Sequence, residues 1–451
     1  MTKMPNYIST TNACKLCKPL GASLAFRGIE GCVPFLHGSQ GCATYMRRYI
    51  ISHFNEPIDI ASSSLGEKHA IYGGSANLKL GLKNVTTKYA PDIIGVATTC
   101  LTETIGDDVP MILHEYHEEF GTDTSPLIIN VSTPSYSGSH MEGFHAASRA
   151  AVEQLTHPTG KHEGINLFSG FISPADIRYL KEICCDMDLE VTLMPDYSET
   201  LDGPALNDYP LIPEGGTPIK NIRQMGGAKA SIELGSTIPD ELSPGKYLEE
   251  TYSTKLYQNG LPVGIRETDS FFDHISKITG KEVPDKYKAA RGRLIDAMVD
   301  GHKYISGKRA LVYGEEDLVI GITSLLAEIG IKPILCASGG KSGMLEEGVR
   351  RVVEDIDCEM PIVKDNVDFF DIEEIAEELN VDIIIGHSKG YKFARRMNLP
   401  LIRVGFPIHD RIGGQRILHL GYHGAQALFD TITNTIIEKK QADSSVGYSY
   451  M

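Results

Sequence analysis

The residues best placed to do chemistry in this chain are its cysteines. There are nine, at 14, 17, 32, 42, 100, 184, 185, 336 and 358, and five of them fall within the first 100 residues. The number is odd and the opening MTKMPNYIST has no charged stretch followed by an apolar one, so an exported, disulfide-framed protein is not expected. Cys14-Lys15-Leu16-Cys17 is a C-x-x-C, the spacing of a zinc ligand pair or a redox dithiol. A zinc ribbon needs a second such pair, which the chain lacks, and a thioredoxin-type motif needs a strand before it, which the sequence does not suggest. Cys17 is followed by Lys18-Pro19-Leu20-Gly21, where proline stiffens the turn beside the sulfur. Cys42 closes His37-Gly38-Ser39-Gln40-Gly41-Cys42, whose glycines would let backbone approach a bulky group. Cys100 closes the apolar run over 91–100, at what would be the carboxyl edge of a parallel sheet, where such sheets bind ligands. Thiols at a stiff turn, a glycine loop and a strand end suit an iron–sulfur cluster; they also suit three small buried hydrophobes, and composition alone leaves both open. Cys184 and Cys185 lie in a helix-like stretch and Cys336 in a strand-like one, and these three and Cys358 are expected in the core.

These residues need a framework. Residues 1–60 read as loop-rich. Beyond them, helix-like and strand-like patterns alternate: a helix over 76–89, strands ending near 100 and over 127–131, and a helix over 143–155. A second set has a strand over 165–171, a helix over 174–186 and a strand over 190–195. A glycine- and proline-rich loop over 196–245 follows, then helices over 268–279 and 285–303. A third set has strands over 309–313, 333–336, 381–385 and 401–404, helices between them, and a long helix over 424–440. Strands alternating with helices of this length predict parallel sheets covered on both faces. The expectation is an α/β protein of three doubly wound parallel-sheet domains, over 1–160, 161–300 and 301–451.

Composition narrows the function. A formal net charge of −16 makes the chain a poor ligand for nucleic-acid backbones. No apolar run approaches the length of a membrane span, so a soluble, cytoplasmic protein is expected. Gly339-Gly340-Lys341-Ser342 resembles the end of a phosphate-binding loop, but Leu335 stands where its first glycine belongs. His114 and His117, three residues apart, read as a solvated acidic helix face rather than a metal site. His409, His419 and His423 read as loop and interface residues, and no G-x-S-x-G elbow is present.

The spacing of the three cysteines, 25 residues from Cys17 to Cys42 and 58 from Cys42 to Cys100, carries more. So do the stretches around them: Cys17-x-Pro19-x-Gly21-Ala22, His37 to Cys42, Thr98-Thr99-Cys100-x-x-Glu103-x-Ile105-Gly106-Asp107-Asp108, and Thr133-Pro134-Ser135-x-x-Gly138-Ser139-His140. Val404-Gly405-Phe406-Pro407-Ile408-x-Asp410-Arg411 and Gly421-Tyr422-x-Gly424 continue the series. Together they resemble the nitrogenase component 1 family over nearly the whole chain, and within it a β-type subunit. The resemblance implies three Rossmann-like domains. It implies that Cys17, Cys42 and Cys100 are metal ligands binding an iron–sulfur cluster at an αβ interface, with Ser135 beside it. It implies an α-type homologue in an α2β2 heterotetramer and electrons from an ATP-dependent, NifH-like iron protein. The α-type subunit holds the larger cofactor with a mid-chain cysteine and a C-terminal histidine; here no cysteine lies between Cys185 and Cys336, and His419 is one position out of register, so that site is expected in the partner. The 404–411, 413–416 and 446–448 segments look most like a NifN-like scaffold subunit, which with a NifE-like partner holds a precursor of the iron–molybdenum cofactor during its assembly. Three cluster cysteines are instead the pattern of catalytic, NifK-like β subunits and of nitrogenase-like reductases such as methylthio-alkane reductase. The interfacial cluster is accordingly expected as a 4Fe-4S or an eight-iron P-type cluster.

Overall fold

The computed structural model describes residues 13–121, 126–354, 356 and 358–446. The opening MTKMPNYIST and most of the 446–448 segment lie outside them. Among the described residues thirteen strands, all paired parallel, form three sheets. The first holds β1 (Cys32–His37), β2 (Ala61–Ser62), β3 (Ile93–Thr98) and β4 (Leu127–Val131), in the order β2-β1-β3-β4. The second holds β5 (Ile165–Phe168), β6 (Val191–Met194), β7 (Ala230–Leu234) and β8 (Lys255–Asn259), in the order β6-β5-β7-β8. The third holds β9 (Arg309–Tyr313), β10 (Lys332–Ala337), β11 (Ile362–Lys364), β12 (Ile383–Gly386) and β13 (Leu401–Arg403), in the order β11-β10-β9-β12-β13. In each sheet the order reverses beside the first strand, the doubly wound arrangement, and the α/β expectation holds. Strands β1, β3, β5 and β12 are buried along their whole length, as parallel strands covered on both faces must be.

Helix starts follow local chemistry. The helix Pro174–Asp186 begins at proline after Ser173, whose side chain accepts from the Asp176 N–H in a capping box. Helix His140–Leu155 is opened the same way by Ser139 and Glu142. The main apolar core runs without a break through all three units.

The N-terminal segment departs from expectation. Residues 18–54 are not loop but the helix Lys18–Arg27, β1 and the helix Gln40–Phe54. Pro19 and Gly21 lower the helical signal of the first of these. Yet proline is at home in a first turn, and glycine is demanded by the packing: a Cβ on Gly21 would lie 1.7 Å from the His140 carbonyl oxygen. Within the expected 196–245 loop lie the helix Ile219–Gln224 and β7, a core strand whose flanking Gly and Pro masked it. Cys184 and Cys336 are core residues, whereas Cys185 is exposed on its helix and Cys358, in a loop, is half-buried against the core.

Candidate metal–sulfur site

Strands β1 and β3 are neighbours on either side of the point where the first sheet reverses its winding, with His37 level with Thr98. Their carboxyl ends carry the site. Cys42 lies in the first turn of the helix that follows β1. Cys100 does not end its strand but is the first residue of the helix Cys100–Ile105, opened by a Thr99–Thr102 capping box. Cys17 is the N-cap of the helix Lys18–Arg27, and Ser135 opens a short 3-10 turn after β4. The three cysteines therefore stand at helix starts, where partial positive charge favours a thiolate.

Hydrogen bonds tie Cys100 and the Cys17 turn to Ser135, and Cys42 to its own helix start. The Ser135 N–H donates to Cys100 Sγ at 3.2 Å, and the Lys18 N–H donates to Ser135 Oγ at 3.2 Å. Ser39 Oγ–H donates to Cys42 Sγ at 3.5 Å. Burial pushes the Cys17 thiol up; a hydrogen bond from Ser135 opposes that, and the neighbouring Cys100 and Cys42 sulfurs push it higher still. Cys100 and Cys42 lie close enough to act on Cys17, and thiolates gathered in this way call for a cation among them. That is the donor set a polynuclear iron cluster requires, and Cys17, Cys42 and Cys100 are all half-buried rather than sealed in the core. Among the described residues no three His, Cys, Asp or Glu side chains converge on a single-ion site. The arrangement is an open half-shell of thiols.

The surrounding glycines divide the work differently from expectation. A Cβ on Gly38 would lie 2.2 Å from Thr99 Oγ1, so that glycine serves the contact between the two strand exits, not a ligand. At Gly41 the only neighbour within 4 Å would be Ser39 Oγ at 3.7 Å, leaving that face open. His37 is held between Ser63 Oγ (2.9 Å) and Asp107 Oδ2 (3.1 Å), and Asp107 also accepts from the Gly74 N–H, so the Gly106-Asp107 turn is tied to β1.

Three supporting residues carried no local signal of this role. His140 grips the ligand loop on both sides: its N–H donates to the Leu16 carbonyl at 3.0 Å, and its Nδ1 accepts from the Leu16 N–H at 3.3 Å. With Nδ1 an acceptor, Nε2 is the protonated nitrogen and donates to Glu315 Oε1 at 3.2 Å, a buried contact with the third unit. Lys389, also from the third unit, donates to the carbonyls of Ala13 and Lys15. Only His140 stood in a motif the sequence singled out, as the last residue of the 133–140 stretch.

The C-x-x-C does not act as a pair. Cys14 is 3% exposed and packs with Leu311, Tyr313 and Phe369 of the third unit, and burial pushes its thiol up to about 12. The glycines of Gly339-Gly340-Lys341-Ser342 pack on Cys14 and Met141, and the Ser342 N–H donates to Glu316 Oε1 at 3.2 Å, so the loop faces a carboxylate and not a phosphate. His114 sits on an exposed helix face 3.4 Å from Glu118. His419 Nδ1 lies 2.8 Å from Asp176 Oδ2, beside a junction cavity of about 30 Å³, room for one water.

Three doubly wound parallel-sheet units thus carry three half-buried thiols at the carboxyl end of the first sheet and the loop beside it. The family model for nitrogenase component 1 type oxidoreductases matches residues 17–437. The nitrogenase molybdenum-iron protein beta chain of Clostridium pasteurianum is 37% identical over 429 residues, covering 95% of this chain and 93% of that one. The nitrogenase vanadium-iron protein beta chain of Trichormus variabilis is 34% identical, covering 93% and 92%. A chain in the solved structure of nitrogenase Cp1 at pH 6.5 superposes with a TM-score of 0.95 at 35% identity, covering 99% of this chain and 98% of that chain. The chain belongs to the nitrogenase component 1 family and is a β-chain-type subunit. Membership implies metal–sulfur clusters. Among the described residues no helix is long and apolar enough to cross a membrane.

Proposed function

We propose that this chain is the electron-relaying β subunit of a nitrogenase-type reductase. It acts in the cytoplasm, paired with an α-type homologue in an α2β2 assembly and supplied with electrons by an ATP-dependent iron protein. The observation that carries the reading is the convergence of Cys17, Cys42 and Cys100, with Ser135 bonded to Cys100, as a half-shell of thiols around one switch point. Such a half-shell is completed by ligands from another chain. Cys17, Cys42 and Cys100 hold the iron, the Ser135 N–H and the Ser39 hydroxyl donate to sulfur, and the helix starts at 18, 40 and 100 favour the thiolate form. When bound, an eight-iron P-type or 4Fe-4S cluster supplies one-electron storage. The larger cofactor belongs to the partner, since no cysteine lies between Cys185 and Cys336 in this chain. The units 1–160, 161–300 and 301–451, each built on one sheet, divide the work, the first bearing the ligands and the third bracing them.

The names of the relatives, beta chains of molybdenum- and vanadium-iron nitrogenases, favour a catalytic complex over a scaffold. The second reading, a NifN-like scaffold that with a NifE-like partner matures the iron–molybdenum cofactor, rests on the 404–411 and 413–416 segments. Acetylene reduction by the anoxically purified complex, with its iron protein and ATP, separates them. Rapid turnover supports the nitrogenase reading. Negligible turnover by an iron-loaded complex that activates a cofactor-less nitrogenase supports the scaffold. Negligible turnover without activation points to another substrate, as in methylthio-alkane reductase.

A further inference from the structure

The segment that carries Cys17 is held from the third unit by a half-buried lysine. Lys389 sits in the 3-10 turn Ser388–Gly390 that follows β12. Its side chain crosses to the first unit, where the ammonium donates to the carbonyl oxygen of Ala13 and, at 3.3 Å, to that of Lys15. These carbonyls flank Cys14 and lie within four residues of Cys17 along the chain. Partial burial holds this ammonium below the usual lysine range, while the Cys14 and Cys17 sulfurs pull it back up. The same charge acts in reverse on Cys17, favouring its thiolate. The geometry points to Lys389 as a positioning and tuning residue: it latches the 13–17 loop across the unit boundary and raises the reduction potential of the iron–sulfur cluster held by Cys17. The inference rests on the cluster reading proposed above. Its physical basis is that reduction adds negative charge to a thiolate-bound cluster, and a fixed positive charge in a poorly screened interior stabilises the reduced form more than the oxidised one.

The test uses the complete complex, purified anoxically. Iron per complex is measured, together with the cluster midpoint by redox titration followed by electron paramagnetic resonance. Lys389→Gln keeps hydrogen-bond donors near both carbonyls and removes the charge; Lys389→Arg keeps the charge. The expected result for Lys389→Gln is full iron and a more negative midpoint. At a fixed potential near the midpoint the reduced-to-oxidised ratio should fall about tenfold, ~59 mV for a one-electron couple. Lys389→Arg should stay near the parent. A fully iron-loaded Lys389→Gln complex with the parent's midpoint would overturn the inference, leaving Lys389 a latch only. Loss of iron in Lys389→Gln but not in Lys389→Arg would also overturn the tuning claim, since the charge would then be needed for retention. Full iron in a Cys42→Ala complex would sink the cluster reading itself, a failure distinct from either.

Discussion

The crossing of the helices Lys18–Arg27 and His140–Leu155 sets the geometry of the candidate site, and it depends on two missing side chains. A Cβ on Gly21 would lie 1.7 Å from the His140 carbonyl oxygen and 2.7 Å from the Phe144 nitrogen; one on Gly143 would lie 1.8 Å from the Lys18 carbonyl oxygen. Ordinary contact begins near 3.4 Å. The obstacle in each case is helix backbone, which cannot swing aside as a side-chain tip can. Gly21→Ala therefore requires the helices to part by about 1.7 Å, and a gap of even 1 Å forfeits up to half of the dispersion energy across the contact. Nearly the whole Lys18–Arg27 helix is buried, so the loss falls on a packed face. The cost belongs at the upper end of the overpacking range, ~3 kcal/mol. It has a second reading at the site: Cys17 caps the moving helix, while Ser135 and Cys100 stay with the first sheet, so the 3.2 Å bond from Lys18 N–H to Ser135 is pulled open. The assay is thermal unfolding by circular dichroism, with iron per chain in the assembled complex. Gly21→Ala should lower both the midpoint and the iron. Gly41→Ala is the control for stability: its Cβ meets only Ser39 Oγ at 3.7 Å, and glycine to alanine in a helix is worth a gain of about 0.5–1 kcal/mol. A Gly21→Ala protein with the parent's midpoint and iron content would refute the close-crossing argument.

Three further outcomes are expected. Cys42→Ala should strip most of the iron from the complex, while Cys32→Ala, at a thiol 1% exposed and away from the half-shell, should retain it; metal analysis of the two variants side by side checks this. His53 is buried, accepts from the Ile408 N–H at 2.9 Å, and is pushed by burial down to about 3, while His145 is pushed down to about 4. In the unfolded chain both bind protons near pH 6.5, so their contribution is intact above that pH and lost progressively as pH falls toward 4; urea midpoints from pH 7 to 5 should fall more steeply for the parent than for His53→Gln. Asp176, fully buried, accepts from Ser173, from the His419 ring at 2.8 Å and from the N–H groups of His419 and Leu420, so Asp176→Ala should cost about 3–5 kcal/mol in denaturant unfolding, and a loss under 1 kcal/mol would show that the loop before the C-terminal helix is held by other means.

What the sequence revealed follows the range of the interactions involved. Strand β9 and the helix Pro174–Asp186 were legible to the residue, because an apolar run and a Ser-Pro start signal are local. The helix Lys18–Arg27 was not, because Pro19 and Gly21 argue against a helix locally while the first suits its opening turn and the second is required by a partner more than a hundred residues away. Strand β8 was missed for a related reason: it is an edge strand, and its polar, partly exposed sequence carries no alternation.

The site divides along the same line. Cys17, Cys42 and Cys100 stood out by their turn, glycine loop and strand end, and Ser135 through the family resemblance alone. Which glycine faces the ligand could not be found: Gly38 and Gly41 share one motif, yet one is filled by Thr99 and the other is open. Nor could the bracing residues, since His140 reaches Glu315 across 175 positions and Lys389 reaches Lys15 across 374. Those two contacts have a consequence for how the site works. The ligand loop belongs to the first unit, and its backbone is held by His140 and Ser135 of that unit as well as by Lys389 of the third. Cys17 is therefore fixed to the same body as Cys42 and Cys100, and the Lys389 and His140–Glu315 contacts add a tether to the third unit. A shift between the two units pulls on the Cys17 loop against its bonds to the first, so loosening those bonds is what would make the thiol set sensitive to such motion.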